Sequence, residues 1–451
     1  MTNEKLVINN FKKGISQYIK QEKTIEDLLY KDQLTNLYNR KYTSRICDLL
    51  KNDININNLV IFILDLDELK NINNSFGNYI GDLVIKRVSD ILSDVCKCKY
   101  IARIDGDEFI IIYENLKDIK TIETISEKIL SNLNKISINS IDLYSVSASI
   151  GIAIDNYNKK NIDRLLMKAN LALYKAKCLG KNTSVIFTPK LEEEIKLNTV
   201  IINDLMNDIK NNKNVSMNYQ PKYTCDKKLV SFESLFRWNN KKYSNIPIYN
   251  IINLIEKTIY FDDFNNYVIK ESLCFAKKIN ENRKNIITVS INISARQLMK
   301  DNFINGFLDM IKKYNIPNNI IGIELTETVL LNNSKKTNEN LQKLKDLGIL
   351  IYLDDFGTGY SSLNYLISLP LSLVKIDKYF IWQTDKGNKY IEILDCIVKI
   401  CHTLNLPVVA EGVETVKQLE LLKKLNVDYI QGYLFSKPLT ENNAYKLVLE
   451  N

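Results

Sequence analysis

Among 451 residues the chain carries a single histidine, His402. One imidazole excludes a His-rich metal centre and any mechanism that needs two histidines. A bound metal must then be hard and oxygen-ligated, which means Mg²⁺, Mn²⁺ or Ca²⁺. Long apolar runs are missing too. The longest strongly apolar stretch, residues 59–64, has six residues, against the roughly 18 that a spanning helix needs, so no membrane span is expected. The opening Met1-Thr2-Asn3-Glu4-Lys5 lacks the apolar core of a signal peptide. The eight cysteines are scattered, and only Cys96 and Cys98 lie close together. That pattern points to reduced thiols in the cytoplasm and excludes a disulfide framework or a zinc site. No dense basic run with interleaved aromatics occurs, and a net charge of +8 is modest for this length. Nucleic-acid binding is therefore not expected.

What the chain does contain is a series of apolar segments that end in oxygen ligands. The plainest is residues 349–353, an apolar run that stops at Asp354 and Asp355 and is followed by Gly357 and Gly359. Adjacent side chains on a regular strand point to opposite faces. Both aspartates face one site only if the backbone twists, and Gly357 permits that. Paired carboxylates repel, and a divalent cation keeps both ionised. Taken alone, the stretch is equally a turn in which Asp355 caps the next helix. Recurrence argues for the site. Segments ending at Glu233, Asn292, Glu324, Asp377, Glu411 and Gln431 follow the same plan, with Lys375 inside the Asp377 segment. With a strand at 215–219, eight strands alternate with helices. This is the pattern of a (β/α)₈ TIM-type barrel, whose site lies at the C-terminal strand ends.

A chain of this length, with 45% hydrophobic and 25% charged residues, is soluble-protein-like and too long for one core. The expected division is a helical segment at 1–30 for packing or dimerisation, a first domain at 31–188, a helical linker at 189–205 and the barrel domain at 206–451. No Gly/Ser-rich linker occurs, which predicts a semi-rigid connection.

In the first domain, the strand at 59–64 runs into Asp65 and Asp67, and a second apolar segment holds Asp105-Gly106-Asp107-Glu108. Asp-Gly between hydrophobic flanks predicts a hairpin with a type I′ turn, φ being positive at both central residues. Its tip is acidic. Asp65 and Asp107, on strands that could be neighbours, suit a Mg²⁺-triphosphate. A helix at 165–180 is closed by Gly180.

Residues 32–187 resemble a GGDEF domain, the α/β sandwich of diguanylate cyclases, which join two GTP molecules into cyclic di-GMP. The likeness rests on Asp32-Gln33-Leu34-Thr35-Asn36-Leu37, the Asp65 strand, Ser149-Ile150-Gly151-Ile152-Ala153 and Ala172-Leu173-Tyr174-Lys175-Ala176-Lys177. It implies that Asp65 and Asp107 hold metal and that Glu108 is the catalytic position. It further implies that Asn73 and Asp82 read guanine, while Arg103, Lys177 and Lys181 meet phosphates. The signature departs from the family, with Asp105 where the first glycine stands, and the product-inhibition motif falls on Cys96 and Lys99. At about 6 Å and an effective dielectric of ~20, a unit charge at Asp105 opposes another by roughly 2–3 kcal/mol. That weakens turnover about a hundredfold if Asp105 faces the triphosphate, and little if it faces solvent.

The second half is similar throughout to an EAL domain, the phosphodiesterase that hydrolyses cyclic di-GMP to pGpG. The resemblance is carried by Glu233-Ser234-Leu235, Asp354-Asp355-Phe356-Gly357-Thr358-Gly359, Val374-Lys375-Ile376-Asp377, Ala410-Glu411-Gly412-Val413-Glu414 and Gln431-Gly432-Tyr433. It implies a centre of two Mg²⁺ or Mn²⁺ ions on Glu233, Asn292, Glu324, Asp354, Asp355, Asp377 and Glu411. Lys375 would position or activate water, with Gln431 helping to hold it. Arg237 would meet a substrate phosphate, and Glu327 and Glu414 would steady a loop that contributes to a homodimer. The reading is a cyclic di-GMP phosphodiesterase whose degenerate GGDEF domain binds GTP as a regulator. A bifunctional cyclase/phosphodiesterase and a non-catalytic cyclic di-GMP receptor are the alternatives.

Overall fold

The computed structural model describes residues 26–52, 56–136, 146–155, 161–281, 283–300, 302–326, 335–357 and 363–450. The chain forms two compact units, Met1–Val200 and Ile201–Asn451. Of the helix expected over 1–30, residues 1–25 lie outside the described residues, and 26–30 are helical.

The first unit is built on a six-stranded sheet: β1 (Tyr38–Asn39), β2 (Leu59–Leu66), β3 (Tyr100–Asp105), β4 (Glu108–Glu114), β5 (Ala148–Asp155) and β6 (Ser184–Ile186), in spatial order β1-β3-β4-β2-β5-β6. β2 is continuous in apolar residues because both faces of the sheet are covered. Val60, Phe62 and Leu64 join one core with helices Asn78–Cys96 and Ile119–Leu133. Leu59, Ile61 and Ile63 join the other with helices Arg40–Asn52 and Ile162–Cys178. Each such side chain, taken out of water completely, contributes about 1.5–3 kcal/mol. On β5, Gly151 lets the last of these helices pack directly on the sheet, since a Cβ there would lie 2.1 Å from the Ala169 carbonyl oxygen.

The hairpin between β3 and β4 forms, but not as the type I′ turn. Asp105 ends β3 and pairs with Glu108, so the loop is Gly106-Asp107. Neither residue has a positive φ. A register shift between Arg103 and Asp105 takes up the reversal instead.

The second unit closes eight strands into a barrel. They are β7 (Val215–Thr224), β8 (Leu229–Trp238), β9 (Thr288–Asn292), β10 (Ile321–Thr326), β11 (Leu350–Phe356), β12 (Leu373–Ile376), β13 (Val408–Ala410) and β14 (Tyr429–Ile430). β8 to β14 run parallel, whereas β7 is antiparallel to both neighbours and β15 (Leu439–Thr440) adds to its edge. This departs from a uniform (β/α)₈ pattern for a reason of chain length. Only residues 225–228 separate β7 from β8, enough for a hairpin and far too few for a crossover helix. The hairpin also lengthens both strands. β7 continues five residues beyond 219, through Pro221, and β8 continues past Glu233 to Trp238. Glu233 therefore sits mid-strand, not at a strand end. One contiguous core lies between barrel and helices. No helix among the described residues is long and apolar enough to cross a membrane. Helix Pro189–Lys210 contains the boundary between the two units.

Candidate active site

At the mouth of the barrel the inward-facing residues of seven strands meet around one ammonium group. Lys375, on β12, is 1% exposed. Its Nζ lies 2.6 Å from Glu324, 2.6 Å from Glu411, 2.9 Å from Asp354 and 3.2 Å from Glu233. Gln431 donates to Glu233 Oε2 at 2.7 Å and Asn292 to Glu233 Oε1 at 3.0 Å. The predicted residues Glu233, Asn292, Glu324, Asp354, Lys375, Glu411 and Gln431 are thus brought together. Asp355 and Asp377 stand beside them and repel each other, Asp377 also capping helix Lys378–Gln383 through Tyr379 N.

Asp354 and Asp355 turn toward one region by a device the glycine argument missed. Asp355 itself adopts φ 53°, and the register between β11 and β12 shifts between Leu353 and Phe356. A left-handed aspartate within a bulge defeats the alternation that would split the pair. Gly357 then follows at φ 97°, where a Cβ would meet the Phe380 ring at 2.4 Å.

The electrostatics follow from crowding and burial. Asp354 is pushed well above the ordinary carboxylate range, first by burial and then by Glu411, Glu324 and Glu233, with Lys375 opposing. Glu411 and Asp355 are raised by burial as well. Glu324 goes the other way. Burial favours its neutral form, but Lys222 and Lys375 outweigh that and hold it at about 2. Lys375 stays charged, because the four carboxylates overcome a burial that acts to lower it.

Lys222 is the site residue that reading the sequence missed. It is 1% exposed on β7 and bonds Glu324 Oε1 and, at 3.0 Å, Ser290 Oγ. The signal was in the parity of β7. Gln220 and Lys222 lie opposite Glu233 and Ser231 across the hairpin, so both polar side chains share the face of Glu233. Ending the strand before Pro221 hid it.

Oxygen atoms of Asp354, Asp355 and Glu411 lie within 4.8 Å of one another. Asp354 Oδ1 and Gln431 Oε1 are buried with no aligned hydrogen bond among the described residues. An all-oxygen set of crowded, mutually repelling carboxylates fits a hard divalent cation. Arg237 is half-buried at the continuation of β8, its Nη1 donating to the Phe236 carbonyl, and burial lowers its pKa. Glu414 is exposed. Glu327 lies outside the described residues, as do residues 358–362.

The first unit assembles a second acidic group. Asp65, paired with Glu108 across β2 and β4, binds Lys177 at 2.6 Å. Burial raises Asp65, and burial together with Asp65 raises Glu108. Asp107 adds its charge to both, and its carbonyl accepts Leu66 N. Asp105 is exposed and accepts the Gly106 N–H at 2.8 Å. Arg103 is spent internally, on Asp32 at 3.1 Å and the Gly106 carbonyl at 2.9 Å. Lys181 pairs with Glu68. Asn73 is partly buried with an unpartnered Oδ1 against Gly81, while Asp82 is exposed on the following helix.

A family model described as "EAL domain" matches residues 202–438, and one described as "Diguanylate cyclase, GGDEF domain" matches residues 29–183. The signaling protein YkoW of Bacillus subtilis is 33% identical over 97% of this chain and 55% of its own length. The cyclic di-GMP phosphodiesterase PdeR of Escherichia coli is 30% identical over 94% and 64% respectively. The chain therefore spans less than two thirds of either relative. A solved structure described as the PaMucR phosphodiesterase in complex with c-di-GMP aligns with a TM-score of 0.51 at 28% identity, covering 54% of this chain and 99% of that one. The chain belongs to the EAL domain family, with a GGDEF domain in tandem ahead of the EAL domain.

Proposed function

We propose that the barrel hydrolyses cyclic di-GMP to pGpG in a two-metal site, and that the first unit binds GTP and regulates it. The observation that carries this reading is the complete carboxylate nest around Lys375, closed by Asn292 and Gln431. Glu233, Asn292, Glu324, Asp354, Asp355, Asp377 and Glu411 would hold two Mg²⁺ or Mn²⁺ ions, which when bound supply hydroxide at neutral pH and neutralise charge on the phosphodiester. The chain's own residues do the rest. Lys375 Nζ, charged and buried, fixes the angles of four carboxylates and through them would position the attacking water. Gln431 holds Glu233 by one amide nitrogen and keeps its oxygen free to accept from that water. Arg237 presents a cation to the substrate phosphate. A homodimer through the barrel and a cytoplasmic setting belong to the same reading.

In the first unit, Asp65, Asp107, Glu108 and Lys177 form the phosphate and metal end of the proposed GTP site, with Asn73 and Asp82 at the base. One observation favours a working cyclase as a second reading. Asp105 is exposed and turned onto the Gly106 N–H, and its charge acts on Glu108 only after burial and Asp65.

The test is to incubate purified chain with cyclic di-GMP, and separately with GTP, in Mg²⁺ or Mn²⁺, and to separate the nucleotides. pGpG from cyclic di-GMP is expected, and its absence with both metals overturns the reading. Cyclic di-GMP accumulating from GTP in the Lys375→Ala chain would establish the cyclase.

A further inference from the structure

Beneath the acidic mouth, at the opposite end of the barrel, the strand starts line an open cavity of about 550 Å³. It lies where β8, β9, β11, β12, β13 and β14 begin, and its lining includes the Tyr352 and Tyr429 rings and Thr288. Its volume is within the roughly 300–1,000 Å³ of small-molecule sites. The base of a barrel is ordinarily filled by side chains in layers. Here a ring takes the place of one layer position. Gly322 contributes no side chain, and the Tyr352 ring lies over it, a Cβ there being only 2.8 Å from Tyr352 Cε2. The Tyr352 hydroxyl is buried 3.4 Å from Thr288 Oγ1. The other side of the wall is the acidic cluster, since Lys222 Nζ, bonded to Glu324, stands 5.1 Å from the Tyr352 ring centroid.

Charge at the entrance has one sign. Lys228, Arg283 and Lys284 line the cavity, and no carboxylate does among the described residues. None of the three cations makes an ion pair with a described residue. Arg283 instead donates to the Val448 carbonyl, and Lys228 and Lys284 are exposed. Two tyrosine rings and three cations without an ion-pair partner among the described residues, lining one cavity, suit a molecule with a planar body and an anionic head.

We infer that this basal cavity is a binding site for a small anionic aromatic molecule of mononucleotide size, separate from the mouth. The head rests on Lys228, Arg283 and Lys284, and the body lies against Tyr352 and Tyr429. The site goes beyond the proposed hydrolysis and does not rest on it.

The test uses AMP, because the mouth and the first unit are both proposed to take guanine nucleotides. Calorimetry on the full chain should show AMP binding at one site per chain, with adenosine and inorganic phosphate each at least tenfold weaker. The double variant Lys228→Glu/Lys284→Glu changes two exposed side chains outside the mouth, and it should weaken AMP at least tenfold. The variant Tyr429→Ala, which removes a ring and no charge, should weaken AMP and adenosine together. Isotherms for AMP that superimpose in wild type and both variants, or no AMP binding at millimolar nucleotide, overturn the inference.

Discussion

Replacing Lys375 by methionine keeps most of the volume and removes the charge that four carboxylates share at 2.6–3.2 Å. Removing one partner from a buried ion pair leaves an uncompensated charge and costs about 3–5 kcal/mol. Here the loss is partly absorbed by proton uptake. Asp354 and Glu411 already sit above the ordinary carboxylate range, so without Lys375 they protonate before the barrel opens. The deficit should therefore be near the lower end, about 3 kcal/mol at neutral pH with chelator present, and grow as pH rises. The assay is urea unfolding followed by tryptophan emission. The chain has two tryptophans, Trp238 and Trp382, and both lie in the second unit, so the signal reports the barrel alone. Cyclic di-GMP hydrolysis should fall by at least about a hundredfold in the same variant. Saturating Mn²⁺ should restore about 2–3 kcal/mol at a hundred times its dissociation constant, because the ion takes over the carboxylates. A barrel within about 1 kcal/mol of wild type in chelator, at both pH 6 and pH 8, would refute the claim that Lys375 is the counterion of the nest.

Three further outcomes follow from the same geometry. Asp354→Asn removes one crowded buried charge while keeping its shape, so the chelated barrel should be as stable as wild type or up to about 1 kcal/mol more stable, with hydrolysis down at least about a hundredfold; an equally active variant would remove Asp354 from the site. In chelator, wild-type barrel stability should decline as pH rises through the window above about pH 4.5. Asp354, Asp355 and Glu411 have folded values above their unfolded ones, so the folded state binds more protons across this window, whereas the low value of Glu324 acts only below about pH 4.5; a flat or rising profile would contradict this. Gly322→Ala should destabilise the barrel by about 1–3 kcal/mol through its contact with Tyr352, and the double variant with Tyr352→Leu should recover most of it; strictly additive losses would show that the two side chains do not share the space.

Much of this was legible in the chain because barrel strands announce themselves by where their apolar runs stop. Six of the seven predicted mouth segments end in a side chain that reaches the cluster, since parallel strands all deliver their C-terminal ends to one face. What stayed hidden was whatever depended on the direction of β7. An apolar run does not state its direction, and only the four residues between β7 and β8 carried it. With β7 reversed and extended, Lys222 enters the barrel and Glu233 moves to mid-strand. Asp355 was hidden for another reason. Its left-handed φ belongs to a bulge that pairing with β12 stabilises, a tertiary preference that no local propensity encodes. In the first unit the hairpin was legible and its turn type was not, because the shift at Arg103 is held by Asp32, some seventy positions away in sequence.

The two buried lysines divide the mouth between them. Glu233, Glu324, Asp354, Asp355, Asp377 and Glu411 bring six carboxylates into one end of the barrel, and Lys222 and Lys375 are the ammonium groups bonded within it. Their positions give them different tasks. Lys222 comes from the reversed strand, is satisfied by Ser290 and Glu324, and touches no other carboxylate of the cluster, so it fixes Glu324 as an ionised anchor. Lys375 is shared among four partners, and two of them, Asp354 and Glu411, which burial raises in spite of that contact, are among the three residues whose oxygens converge on the candidate cation position. A divalent ion arriving there need not break the Lys222 contact at all. Asp354 and Glu411, both raised by burial, would hold such an ion in place of protons and of part of the Lys375 contact. The reversal of β7 thereby does more than close the barrel: it delivers the lysine that, with Lys375, holds Glu324 ionised within the nest.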